Sequence, residues 1–229
     1  METTLADQAY KGLRLKLSRG ELRVGQRIVN RTVAKELNIS HTPLREAMNR
    51  LASEGVIEYV PGAGAYVRDI SLAELLQLYD LREHIEPFAA SLAARHVSDI
   101  ELLQMKAVCD DWLRIARQIR ERGTVATPEE MAQWNDNEER VHTLLLEASR
   151  NPWLIKISRN LRMLSVAFAL QRHNPQLLGL REAAVTWREH VRIMRSLRRR
   201  DFAEAARVSA QHIRNGRAYI VSALGGGNR

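Results

Sequence analysis

The hydrophobic period of this chain is mixed up to Ile70 and helical after it, and that change limits the available folds more than any other feature. From Ser71 onward apolar residues recur at helical spacing to the end, and no strand pattern interrupts them. The helix starts carry their own chemistry. Ser71-x-x-Glu74 and Ser98-x-x-Glu101 have the form of capping boxes, Thr127-Pro128-Glu129-Glu130 adds proline at the first helical position, and Asn151-Pro152 opens a further helix. Gly123 and Gly179 fall in breaks between helices. The spacing predicts helices near 71–95, with Glu86-Pro87 as a point of interruption, then 98–121, 128–149, 152–172, 177–199 and 201–223. That is an all-α bundle of six to seven helices over 71–224, with 225–229 as a flexible tail.

Before Ile70 the pattern is mixed. Leu5, Ala9, Leu13 and Leu17 form one stripe of a helix over 5–18, and Gly20 and Gly25 bracket a turn. Asn30 suits the cap of a helix from Arg31 to Leu37, and Asn38-Ile39-Ser40 makes a short connection. Thr42 then suits the cap of a helix with Pro43 at its first position. Leu44, Ala47, Met48 and Leu51 give that helix an apolar face, and His41, Thr42, Arg45, Glu46 and Asn49 a polar one. Gly55 ends it at a position suited to a left-handed cap. Val56–Val60 and Ala65–Ile70 read as strands around the turn Pro61-Gly62-Ala63-Gly64. Two short helices, a tight turn and a hairpin make a winged helix-turn-helix over residues 1–70, so the fold is mainly α in two domains.

Charge supports this reading only weakly. The net charge is +8, but residues 1–70 hold 11 Lys/Arg against 8 Asp/Glu, residues 71–149 hold 8 against 15, and residues 150–229 hold 16 against 4. The basic excess lies far from the candidate reading helix, so DNA binding rests on pattern and not on bulk charge. A single cysteine, Cys109, excludes an intrachain disulfide framework. No run of about 18 apolar residues is long enough to span a bilayer. No signal-peptide order opens the chain, and the cytoplasm is the expected location, with no membrane partner.

Three of the seven histidines sit on otherwise apolar helix faces. His142 follows Glu138 by one turn, His190 lies with Trp187, Ile193, Met194 and Leu197, and His212 with Ala205, Val208, Ser209 and Tyr219. Each alone is more often a hydrogen-bonded core residue than a ligand. Together, Glu138, His142, His190 and His212 make a reasonable set for a divalent transition metal of the Zn, Ni, Mn or Fe class, with positions left open for a small anion. A metal-free pocket is the alternative. A metal-dependent hydrolase is a remote one, since no separate general base stands out; no enzyme activity is expected.

The run Ile28–Val67, with Arg31, Val33-Ala34, Ser40-His41-Thr42-Pro43-Leu44-Arg45-Glu46-Ala47, Glu54-Gly55 and Gly62-Ala63-Gly64-Ala65-Tyr66-Val67, resembles the winged helix-turn-helix of GntR-family transcription regulators. The resemblance implies operator contacts from Arg31, Thr42, Arg45 and Gly64. His41 stands where the family usually has arginine, so the bidentate contact that arginine makes to guanine is not available there. Residues 71–223 resemble the FadR-like, FCD-type ligand-binding domain. That resemblance places the family's Asp-x-x-x-His on Glu138 and His142 and its two later histidines on His190 and His212, with a metal beside a carboxylate-bearing effector. Arg82 and Glu86 match its Arg-x-x-x-Glu. Arg82 is either an i,i+4 ion-pair partner, worth ~0.3–0.5 kcal/mol if exposed, or a cation for the effector carboxylate. The implied protein is a homodimeric regulator, most commonly a repressor, that binds a palindromic double-stranded DNA operator and answers to a small carboxylate-bearing metabolite.

Overall fold

The computed structural model describes residues 4–18, 20–171 and 178–225. The chain divides into two compact units, Met1–Leu75 with Met163–Arg172, and Leu76–Arg162 with His173–Arg229. The first unit contains α1 (Leu5–Ser18), β1 (Arg27–Ile28), α2 (Asn30–Glu36), α3 (His41–Ser53), β2 (Ile57–Val60) and β3 (Gly64–Val67). The helical elements after it are α4 (Leu72–His96), α5 (Asp99–Arg122), α6 (Pro128–Ala148), α7 (Pro152–Gln171), α8 (Leu180–Arg198) and α9 (Phe202–Gly225).

In the first unit the apolar stripes predicted for α1 and α3 close on each other. Leu13 and Leu17 join Leu44, Met48 and Leu51 in one buried cluster, with Val33 and Ala34 from α2 and Ile57, Ala65 and Val67 from the sheet. The sheet is antiparallel in the order β1-β3-β2, with Ile57 opposite Val67 and Val60 opposite Gly64. β1 was not expected: two residues carry no alternation, and only the pairing of Arg27 with Tyr66 and Ile28 with Ala65 defines it. It shifts the start of α2. Chain held extended through β1 puts the cap of α2 on Val29, so Asn30 is helical and not the cap, and α2 ends at Glu36. Likewise α3 starts at His41 behind an extended Ser40, so Thr42 lies in the first turn instead of capping it and Pro43 is the third helical residue. The proline remains tolerated, because first-turn N–H groups lack an intrahelical acceptor.

Both helix ends follow the left-handed rule. Asn38 (φ 53°) closes α2 with Ile39 N–H donating to the Ala34 carbonyl at 3.0 Å, and Gly55 (φ 75°) closes α3 with Val56 N–H donating to the Leu51 carbonyl at 2.9 Å. Tyr10 on α1 donates to Glu54 at 2.7 Å while Arg50 lies 3.8 Å over its ring, which anchors the far end of α3.

In the second unit Trp112, Ile115 and Ile119 of α5 form the centre of the core, with Met105, Trp134, Leu145, Ile193 and Leu197 around them. The capping boxes of Ser98 and Thr127 are both formed, as is the reciprocal Ser71–Glu74 pair at the start of α4. Gly123 (φ 66°) caps α5 in the left-handed conformation, and Asn151 accepts from the N–H groups of Trp153 and Leu154. α4 runs unbroken through Pro87, contrary to the predicted interruption. Ala89, Ala90, Ala93 and Ala94 are fully buried just beyond it, and this packing outweighs the hydrogen bond that proline removes. α8 begins at Leu180 with Gly179 as its extended cap; the predicted start at 177 lies outside the described residues. α9 extends to Gly225, so only 226–229 of the expected tail lies beyond it, outside the described residues.

Candidate functional site

The bundle brings Glu138, His142, His190 and His212 together. One ligand atom from each lies within 4.8 Å of the others. Glu138 and His142 share a face of α6 at one helical turn, His190 faces inward from α8 beside Ile193 and Leu197, and His212 projects from α9. His142 and His190 are 3 % exposed, whereas a quarter of the Glu138 side chain is open. Glu138 is therefore the most open of the four side chains. His142 Nε2 lies 3.5 Å from Glu138 Oε2 and 3.2 Å from His212 Nε2, and His190 Nε2 lies 3.9 Å from Glu138 Oε2.

The outer nitrogens determine what the inner ones can do. His190 Nδ1 lies 2.9 Å from the Thr186 carbonyl, which can only accept, so Nδ1 carries the proton and Nε2 presents a lone pair. His212 Nδ1 lies 2.8 Å from Glu189 Oε2, with the same consequence, and Asn215 Nδ2 donates to the other Glu189 oxygen. His142 Nδ1 lies 3.2 Å from Glu86 Oε2 without the alignment of a hydrogen bond, and both atoms lack hydrogen-bond partners. His190 Nε2 is also buried and unpartnered. Lone pairs converging on one point, with an orphaned buried acceptor among them, fit a cation of the kind that imidazole and carboxylate bind. Burial opposes charge on Glu138, but the imidazoles of His190, His142 and His212 hold its carboxyl well below the usual range, and burial pushes His190 down to about 3 against the pull of Glu138.

Around the quartet lies an outer set, of which the sequence named only Arg82 and Glu86. Trp112 packs 4.3 Å from the His190 ring and limits its rotation. Arg82 is 4 % exposed, donates from Nε to Glu86 Oε1 at 2.6 Å and lies 4.7 Å over Tyr79. Its link to the quartet runs through Glu86. The pair is buried, so the small value of an exposed ion pair does not apply; burial opposes ionisation of Glu86, and Arg82 and then Arg162 outweigh it. Arg162 itself is 3 % exposed and lies 3.6 Å from Glu86 and 3.7 Å from Glu139. An apolar cleft formed by Met105, Cys109, Val141, Leu145, Ile193 and Met194 reaches His142 and His190. Glu189 and Asn215 had a weak sequence signal, standing one residue before His190 and three after His212; Glu86 and Arg162 had none pointing to His142.

The nucleic-acid candidates lie in the first unit. Arg31, His41, Thr42, Arg45 and Gly64 are all exposed, and neither Ser40 nor Val29 makes a side-chain cap bond that would occupy the helix starts. Asn49 is held by Tyr59, whose hydroxyl donates to it at 3.0 Å. Gly64 turns the wing with φ 109°, a conformation open to glycine, and a Cβ there would lie 3.4 Å from Arg27 Nε.

Two family descriptions match the chain, "FCD domain" over residues 77–215 and "Bacterial regulatory proteins, gntR family" over residues 5–67. The chain belongs to the GntR family and carries an FCD domain. It is similar to the Nta operon transcriptional regulator of Aminobacter aminovorans, 33% identical over 139 residues, 61% of this chain and 61% of that protein. The HTH-type transcriptional regulator McbR of Escherichia coli K12 is 28% identical over 120 residues, 52% of each. The chain thus spans about half to three fifths of the length of these curated relatives. The solved structure "E. coli McbR/YncC" has the same fold, with a TM-score of 0.82 at 20% identity, covering 97% of this chain and 100% of that one. These relatives are transcription regulators, not enzymes. No helix among the described residues is long and apolar enough to cross a membrane.

Proposed function

We propose that the protein is a cytoplasmic, homodimeric repressor whose DNA affinity is set by a small organic acid bound beside a metal ion. The reading unit would span residues 1–70, and the effector and dimerisation unit residues 71–224. The single observation that carries this reading is the convergence of Glu138, His142, His190 and His212, with the lone pairs of His190 and His212 set inward by Thr186 and Glu189. A divalent transition ion held by the four would supply a Lewis-acid position for a carboxylate. The protein's own contribution is orientation and exclusion of water: Trp112 and the outer hydrogen bonds fix the rings, and the apolar walls of Met105, Val141, Ile193 and Met194 keep water from them. Arg82 would act on the effector through Glu86, as a charge that steadies the His142 side of the site.

At the other end, Arg45 and Arg31 would read base edges, with His41 as a single-donor contact, and Thr42 and the Gly64 turn would meet phosphate. One short helix reads few base pairs, so a twofold dimer on a palindromic operator is expected. Effector binding would change the packing of the helices that carry the quartet and shift DNA affinity by a coupling free energy of about 1–3 kcal/mol. To test this, bound fragments are selected from the native genome, and affinity for the recovered operator is measured with and without metal and a panel of short carboxylic acids. A metal-dependent shift of about 5–150-fold with at least one acid is expected. Operator affinity indifferent to metal and to every acid would refute effector control, while leaving DNA recognition standing.

A further inference from the structure

The Arg-rich last third of the chain is not spread evenly over the bundle. Arg181, Arg188, Arg192, Arg195 and Arg199 are all exposed on α8 and its cap. At about 100° per residue they fall within an arc of about 60°, in a row about 27 Å long. The opposite face of α8 is occupied, since Ala183, His190, Ile193, Ser196 and Leu197 are buried. Among the described residues none of the five enters an ion pair within 4 Å; Arg188 donates to the Ala184 carbonyl within its own helix, and Arg192 lies near enough to Glu204 to help lower its carboxyl. This is not the treatment given to arginines nearby. Arg207 is paired with Glu204, Arg214 with Glu83 and Arg217 with Asp80. Arg188, Arg192, Arg195 and Arg199 also stand at successive i,i+3 or i,i+4 spacings, where like charges repel and weaken the helix.

We propose that this row is a second DNA-contacting surface, one that binds the phosphate backbone without reading sequence. A guanidinium fork matches a phosphate, and a straight row of them suits an extended array of fixed negative charge better than a compact ligand. Membrane binding fits worse, because an interfacial helix must bury an apolar face in lipid and that face of α8 is already in the protein core. The family to which the chain belongs acts on DNA, so phosphate is the polyanion within reach. The inference goes beyond the operator contacts proposed above and is separable from them.

The test uses the full chain and a non-operator duplex, with binding measured over a range of salt concentrations. Arg188→Gln with Arg192→Gln is compared with Arg140→Gln plus Arg207→Gln, which removes the same charge from exposed positions on other helices. Loss of two phosphate contacts lowers the slope of log K against log salt by about 1.8, and the control pair leaves it unchanged. Exchange of all five lowers it further. Helical content and metal content stay at wild-type values, since the replaced side chains are exposed. An equal fall in both pairs would reduce the effect to bulk charge, and an unchanged slope in both would remove the surface; either overturns the proposal. Loss of binding to phosphatidylserine vesicles with no change on DNA would overturn it in favour of lipid. A chain that binds neither operator nor random duplex would instead refute the regulator reading itself.

Discussion

The candidate residues of the two units are built in opposite ways. In the reading unit Arg31, His41, Thr42, Arg45 and Gly64 are exposed, and the structure beneath them supplies only position, through the buried stripe of Leu44, Met48 and Leu51 and the left-handed closures at Asn38 and Gly55. In the helical unit each ring of the histidine group is held or faced on its far side, by Thr186, Glu189 or Glu86, and two of the rings are almost wholly buried. On the proposed function the difference follows from the partner. A DNA duplex brings its own array of donors and acceptors, so the protein needs only to present side chains. A metal ion demands lone pairs fixed in direction before it arrives, which requires a second layer. Substitutions of the exposed residues in the first unit should therefore change binding and spare stability, whereas those in the buried quartet should lower stability as well as metal binding while keeping the fold.

The sharpest contrast comes from His212→Ala. With metal at 100 times its Kd the wild type should gain about 2.7 kcal/mol of stability, read as a shift of the unfolding transition, and the variant should gain none. An equal metal-induced shift in both would place the ion elsewhere. Next in size, Glu189→Gln should weaken metal affinity about 10–100-fold by releasing the His212 ring while leaving all four ligand residues in place. A titration indistinguishable from wild type would show that the outer layer is only packing. Arg45→Ala should cost about 1–3 kcal/mol on operator DNA and nothing in metal affinity. Retained operator preference would mislocate the reading helix.

A structural control away from both sites is Glu101. Arg150 and the Ser98 cap hold its carboxyl down to about 2 from an ordinary value of 4.5, against the opposing effect of burial. A depressed folded value means the contribution is full above about 4.5 and is lost as pH falls toward 2. Discounted for the half-exposed Arg150, it is about 1–2 kcal/mol. Glu101→Gln should lose that much in urea unfolding at pH 7 and far less at pH 2.5; an equal loss at both would mean the carboxylate charge is irrelevant. The smallest expected effect is that of His41→Arg, which should alter preference at one or two base pairs per half-site and move stability by less than about 0.5 kcal/mol. An unchanged selection profile would assign residue 41 to phosphate or solvent.

What could be read from the sequence divides by how local its cause is. The capping boxes at Ser98 and Thr127 and the left-handed Gly55 and Gly123 are settled by residues within one turn, and the structure forms them where the spacing places them. The cap of α2 was misplaced because β1, a two-residue strand defined only by its partner β3, holds the chain extended up to Val29, and that of α3 because extended geometry ends at Ser40, two residues before Thr42. Pro87 misled for the opposite reason, a strong local signal overruled by the buried alanines beyond it. In the site, the period of α6, α8 and α9 already faced the quartet inward. Nothing local tied Glu86 to His142, since they lie on different helices and meet only through packing.

Elemental analysis of wild type, His190→Ala and His212→Ala, purified without chelators and reloaded with zinc, nickel or manganese, bears most directly on the buried quartet. About one ion per chain in the wild type and none in either variant is expected, with the fold of all three unchanged by circular dichroism. A wild type that takes up no stoichiometric metal, or variants that keep it, would contradict the metal centre and leave the convergence of Glu138, His142, His190 and His212 as a hydrogen-bonded core.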